Sequence, residues 1–467
     1  MAERVVFGAG EALAILRADG LAAELRGDVS APFWKATLDS REVGDGSLFA
    51  AFRGDKADGH DFAAAALAAG CRVLLLEDRA FSARPSISAS VVASHAAVLL
   101  VPSVLPALQS LARAKRRRHP DIVRIGVTGS SGKTTTKEII ASALSRSGKV
   151  VTNPGNLNSD QGLAISLFGI EGDEKFGVFE MGMNRRGEMD ELAAMYEPDL
   201  AIVTNVGTAH IGILGSKQSI AEEKKRIFSR FDGRQVGFIR EDEEFGALLA
   251  KGVKGEIAKY GVRSTVGFAG AEDMGLDGWA IDWEGLHIRF PLVGKHNLDN
   301  ALAALSLSVR MGIRAEDVAA GLEAVRPLFG RSEILKGPVT IVRDCYNANP
   351  ESVEAAMDFC DALVWKGRKL YVLGSMLELG GESEAEHRRL GSIAARSTAA
   401  GLCFFGEETR AGWEAAKAAG FAGFLAHETD IGRLGSTIAA WLREGDLVLL
   451  KASRGMALER VVGAISG

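Results

Sequence analysis

The chain has 467 residues, 47 % of them hydrophobic, enough to bury several cores; its length suggests two to four domains, with three as the working number. With 55 basic and 60 acidic residues, its net charge of -5 excludes the basic excess of a nucleic-acid coat or an anionic-membrane binder. Small-molecule partners are expected instead. Cys71, Cys345, Cys360 and Cys403 lie far apart, with neither a paired-thiol motif nor zinc spacing, and suit packing in a reducing compartment.

Near the amino terminus Glu3 and Arg4 precede any apolar stretch, and the most apolar tract, residues 91–112, is broken by His95, Pro102 and Pro106. Neither a signal peptide nor a membrane span is predicted, so a cytoplasmic monomer without membrane insertion is expected. From "DSREVGDGSLFAAF" to "CRVLLLED", short apolar strands alternate with turn residues, and "DFAAAALAAG" between them has helical composition with a glycine stop. This predicts a small mixed α/β domain over residues 1–112. The run "LARAKRRRHPD" then reads as a solvated helix end leading into a linker, with the boundary near Arg113.

Next, "IVRIGVTG", "FGVFEMG" and "DLAIVTNVG" are strands separated by helical stretches, the alternation of a mostly parallel sheet with crossover helices. This α/β pattern predicts a central P-loop ATPase-type domain over residues 113–326, with its site at the carboxyl ends of the strands. After the helical "DNALAALSLSVRMGIRAEDVAAGLEAVRP", the segments "TIVRDCY", "KLYVLGSM", "GLCFFG" and "DLVLLKASR" alternate again with helices, predicting a Rossmann-like domain over residues 327–467.

The stretch "GVTGSSGKTTTKEII", residues 126–140, carries the most specific chemistry. A glycine-rich turn opening a helix offers unpaired N–H groups and the positive end of the helix dipole to phosphate oxygens. Gly129, Ser130, Ser131, Gly132, Lys133, Thr134 and Thr135 are the predicted ATP contacts, with Lys133 on the terminal phosphates and the Thr134 hydroxyl on magnesium. Val127 stands where the usual spacing asks for glycine, so the loop is a variant.

Other candidates are weaker by themselves. Glu180 ends an apolar strand and is either a second metal ligand or a surface glutamate. His210 follows a strand and a glycine turn, while Lys224 in "SIAEEKKRIF" reads as a solvated lysine on a charged face. Asn297 and Asn300, three apart at a helix start, are placed to meet a purine edge, or Asn297 caps the helix. Asn349 and Pro350 form a helix start, leaving Asp344 and Asn347 for function; Arg331 is a phosphate or ribose contact or a surface arginine.

Taken together, "TGSSGKTTTKE", "EMGMN", "TNVGTAHI", "AEEKKRIF", "GKHNLDN", "GRSEI", "DCYNANP" and "KASRGM" occur in the order found in the Mur ligases, and the resemblance covers almost the whole chain. "YNANP" after an aspartate, with "DGHDF", resembles the branch that joins D-alanyl-D-alanine to UDP-N-acetylmuramoyl-tripeptide through an acyl phosphate, using ATP, in peptidoglycan precursor synthesis. The resemblance implies two magnesium ions, one held by Thr134 and Glu180, the other by His210 and a carbamylated Lys224. Burial, or a cationic neighbour such as Lys225, would keep that lysine neutral before it reacts. It also implies nucleotide contacts from Asn297, Asn300, Arg331 and Asp344, with Asn347 and Lys451 near ATP or the incoming dipeptide. Ser40, Arg41, Asp58 and His60 would face the UDP-sugar end, and Asn156 and Asn158 the muramoyl peptide. Ser375 and Ala452 depart from the residues usual in such sequences. The competing readings are a sister ligase that adds the third amino acid, and a nucleotide-gated binding protein that ligates nothing.

Overall fold

A computed structural model describes residues 6–54 and 57–465. Its first sheet has five strands in the order Glu24–Gly27, Ala97–Val101, Val73–Glu77, Ser47–Ala50, Lys35–Thr37, parallel except for the first. The runs "VLLLE" and "AVLLV" lie at its centre because nearly every side chain in them is buried, whichever way it points. Leu74, Leu76, Val98 and Leu100 face the helices Ala63–Ala68 and Pro85–Ser94. Val73, Leu75, Ala97 and Leu99 face the other way, into a core continuous with that of the next domain.

Helix Val104–Arg117 makes that continuity: Val104, Ala107, Leu108 and Leu111 pack in the same core as Leu163, Leu167 and Leu192 of the central domain. The predicted division after residue 112 therefore falls inside a helix shared by two cores. Its charge run is also less solvated than predicted. Lys115 and Arg116 are buried, and Arg116 donates to Glu197 of the central domain.

Six parallel strands make the central sheet, in the order Glu256–Tyr260, Val236–Arg240, Leu200–Val203, Val123–Thr128, Phe176–Glu180, Val150–Thr152. Strand Val123–Thr128 lies between the two whose carboxyl ends lead to Glu180 and to Thr204, so the loops that follow all three converge on one edge. The face opposite the shared core is covered by helices Lys133–Leu144 and Lys295–Arg310 and by an antiparallel meander, Phe268–Asp273, Trp279–Trp283 and Leu286–Phe290.

The last sheet runs Glu333–Leu335, Thr340–Asp344, Leu447–Lys451, Lys369–Gly374, Gly401–Phe405, Phe424–Glu428, parallel except for the first strand, with a core on each face. The division predicted between residues 326 and 327 falls in the loop between helix Ala315–Ala324 and strand Glu333–Leu335. All four cysteines are buried and free. Among the described residues no helix is long and apolar enough to cross a membrane.

Candidate active site

Strand Val123–Thr128 ends where residues 129–132 turn into helix Lys133–Leu144. Gly129 has φ +154° and lies so close to the neighbouring loop that a Cβ there would sit 1.8 Å from Thr204 Oγ1; glycine is required. Val127 occupies a fully buried core position, so where other such loops have glycine this one has strand. Asn205 Oδ1 accepts from the N–H groups of Ser130 (3.1 Å) and Ser131 (2.9 Å), and Thr204 Oγ1 donates to Ser131 O (2.6 Å). Those bonds leave the backbone N–H groups of Gly132, Lys133, Thr134 and Thr135 without a protein acceptor among the described residues. Four amides at the positive end of a helix dipole form an anion site. Lys133 Nζ donates back to Gly129 O (2.9 Å).

Beside the loop, Thr134 Oγ1 donates to Glu180 Oε2 (2.6 Å), and Asn158 Nδ2 donates to the other carboxylate oxygen (2.6 Å). Asn153 fixes the end of that strand, accepting from Glu180 N (2.9 Å) and donating to Glu180 O (3.0 Å). Lys137 Nζ in turn donates to Asn153 O (2.7 Å). A hydroxyl and a buried carboxylate beside free amides make a donor set suited to magnesium on a phosphate.

His210 has φ +66°, and its Nδ1 lies 3.3 Å from Glu378 Oε2 but is buried without a hydrogen bond. Lys224, on helix Lys217–Lys225, is 1 % exposed with no hydrogen-bond or ion-pair partner among the described residues. Burial first, and then the charge of Lys133, push its pKa well below the usual lysine value. The neighbour predicted from sequence, Lys225, instead donates to Lys251 O at the surface. Burial without a partner favours the neutral amine, the form that carbamylation needs.

These groups line a cleft of about 520 Å³ between the central and last domains. Ser130 to Thr135, Asn156, Asn158, Glu180, His210, Asn297, Asn300, Arg331, Asp344, Asn347 and Lys451 all border it; Gly129 and Lys224 do not, though Lys224 is near enough to feel the charge of Lys133. From the last domain, Arg331 Nη2 donates to Thr134 Oγ1 (2.9 Å) and Asn349 Nδ2 to Ser131 Oγ (3.1 Å). Glu351 accepts from Thr208 N (2.9 Å) and Thr208 Oγ1 (2.8 Å), bracing the loop that carries His210.

Asn297 does not cap its helix, and it and Asn300 make bonds that the sequence did not predict. Asn297 Nδ2 donates to Val293 O (2.8 Å), Asn300 Nδ2 to Asn297 Oδ1 (3.2 Å), and Thr136 Oγ1 to Asn300 Oδ1 (3.0 Å). The pair ties the phosphate-loop helix to helix Lys295–Arg310, whose N-cap is Gly294 and not Asn297. Asp344 Oδ2 accepts from buried Lys451 Nζ (2.8 Å), which also donates to Asn347 O (3.0 Å). Ser375 Oγ donates to Glu408 (2.6 Å), and Ala452 is fully buried in the last domain's core.

Ser40, Arg41, Asp58 and His60 do not line this cleft. Arg41 is exposed and forks onto Asp39 (2.5 and 2.9 Å). Buried His60 has both ring nitrogens occupied within its own domain, Nδ1 by Asp58 Oδ1 (2.6 Å) and Nε2 by Glu77 N (3.1 Å). Sequence reading missed Asn153, Asn205, Glu351 and Glu378; the first two stand just past strand ends, the one local signal they carry.

Residues 36–116 match the Mur ligase family catalytic domain, 127–308 the Mur ligase middle domain and 330–454 the Mur ligase glutamate ligase domain. UDP-N-acetylmuramoyl-tripeptide–D-alanyl-D-alanine ligase of Treponema pallidum is 41 % identical over 430 residues, covering 91 % of this chain and 92 % of that protein. The Bacillus subtilis enzyme of the same name is 33 % identical over 459 residues, covering 95 % and 96 %. Crystal structures of MurF from Acinetobacter baumannii (TM-score 0.85, 28 % identity, 99 % of each chain) and of MurF ligase from Thermotoga maritima with ADP (TM-score 0.77, 28 % identity, 92 % and 97 %) have the same fold.

Proposed function

This chain belongs to the Mur ligase family, and from that premise we propose that it consumes ATP to join D-alanyl-D-alanine to UDP-N-acetylmuramoyl-tripeptide. A carboxylate is a poor electrophile, so its oxygen must first be moved onto phosphate. The terminal carboxylate of the tripeptide attacks the γ-phosphoryl of ATP, expelling ADP and leaving an acyl phosphate. The dipeptide amine then attacks the acyl carbon, expelling inorganic phosphate as the amide forms.

The first step brings anions together, and the cations and dipoles of the cleft answer it. Lys133 reaches the terminal phosphates once nucleotide displaces its bond to Gly129 O. The four free amides hold phosphate oxygens, and Arg331 adds a positive charge from the last domain. Magnesium, when bound, neutralises charge on the phosphoryl oxygens; Thr134 and Glu180 would hold one ion, His210 and carbamylated Lys224 a second. The partnerless Lys224 supports that assignment, and the His210 ring, whose Nδ1 is met only by the exposed Glu378 carboxylate at 3.3 Å, is in keeping with it.

The first domain, with Ser40 and Arg41, is assigned to the UDP-sugar, Asn156 and Asn158 to the peptide, and the last domain to the dipeptide. Closure of the last domain would exclude water from an acyl phosphate that otherwise hydrolyses. Cytoplasmic action is proposed, in keeping with ATP as substrate and four free cysteines.

The observation that carries this reading is the row of free amides beside Lys133, Thr134 and Glu180, with Arg331 meeting them from another domain. Tripeptide labelled with heavy oxygen at its terminal carboxylate tests it. One label is expected in released phosphate for each pentapeptide formed; release of ADP with neither labelled phosphate nor pentapeptide would overturn the proposal.

A further inference from the structure

Three arginines line the cleft: Arg240, Arg331 and Arg454. Arg240 is held by Asp242 (2.9 Å) and Arg454 by Glu459 (2.5 Å). Arg331 has no carboxylate partner among the described residues, although it is the one that reaches the phosphate loop. What it has is an aromatic face. Its guanidinium carbon lies 4.2 Å from the centroid of the Tyr346 ring.

The backbone enforces this stack. Tyr346 N donates to Gly330 O (2.9 Å), fastening the tyrosine beside the residue that precedes Arg331. Gly330 has φ +65°, and a Cβ there would lie 3.1 Å from Tyr346 N, so the close approach needs glycine. Ring and guanidinium are thus registered to each other by a main-chain bond.

We propose that Tyr346 is a positioning residue that aims Arg331 at the phosphoryl group being transferred. A carboxylate would orient the arginine equally well, but it would also cancel the charge that the transferring phosphoryl group needs. A ring fixes the plane of the guanidinium while leaving its charge undiminished. This proposal rests on the ligase reading above.

The test is a double-mutant cycle in pentapeptide synthesis, with folding checked by thermal melting. Tyr346→Phe keeps the ring and should stay within about twofold of wild type. Tyr346→Leu and Tyr346→Met, which fill space without a π face, should each lower kcat about tenfold and leave KM for the dipeptide unchanged. In an Arg331→Ala background the same substitutions should cost nothing further. Unchanged kcat in both ring-less variants, or losses that add to that of Arg331→Ala, would overturn the proposal. Weaker binding of fluorescent ADP that persists without Arg331 would also overturn it, assigning the ring to the base instead. Wild-type enzyme run in parallel separates the two claims, because ADP without pentapeptide there defeats the ligase reading itself, while the cycle is still read from ADP release.

Discussion

Two regions hold the same kinds of side chain and treat them in opposite ways. In the first domain, Asp58, His60 and Arg84 form a closed set: His60 is bonded at both ring nitrogens, and Arg84 Nη2 donates to Asp58 (2.9 Å). In and near the cleft, Lys224 has no partner and Arg331 no carboxylate among the described residues, and His210 Nδ1 has only a 3.3 Å approach to Glu378. The first set is matched within the fold, whereas these three groups beside the cleft lack full protein partners, at a cost in stability.

The strongest way to break this contrast is at the phosphate loop. Lys133→Ala should lower kcat by at least about 10³-fold while circular dichroism and melting temperature stay near wild type. An active variant would remove Lys133 from the phosphate site.

Lys224 comes next. Lys224→Ala should lose most activity, and added short carboxylic acids should restore part of it by filling the anion position. Stability should move the other way. The pKa of Lys224 in the fold is depressed, so below its usual value of 10.5 the unfolded chain takes up the proton more readily and stability falls. Lys224→Met, measured without nucleotide, metal or bicarbonate, should melt several degrees higher at neutral pH, an advantage that shrinks as pH approaches 10.5.

The smallest effect sharpens the other side of the comparison. His60→Gln should cost about 1–3 kcal/mol in denaturant unfolding and leave kcat unchanged. Burial works against the Asp58 carboxylate, yet hydrogen bonds from His60 and the charge of Arg84 hold its pKa below the usual 3.8. That contribution is present above about pH 4 and lost as pH falls through the depressed value, so the variant should lose less stability on acidification than wild type. A fall in kcat at full stability would return His60 to the substrate.

The phosphate loop was legible in the sequence because its chemistry is local: turn, lysine and threonine are contiguous. Lys224 was not, since its surroundings are supplied by residues far along the chain, and its composition alone suggested a solvated face. Asn297 and Asn300 were placed on the right helix and border the cleft, but their bond to Thr136 was not legible, because it lies 164 residues away. The helix that runs through the boundary placed near Arg113 was hidden for a related reason. A run of cations looks solvated, but Lys115 and Arg116 lie under a second domain that the run itself cannot announce.

Helix Val104–Arg117 sets the terms on which this protein can be recombined with its relatives. A chimera spliced at residue 112 would cut through a helix seated in two hydrophobic interiors at once, so both parents would have to match along it. A splice near residue 327 would meet only a loop. Whole carboxy-terminal units should therefore graft between homologues far more readily than amino-terminal ones, and laboratory shuffling would drift toward crossovers at that later joint.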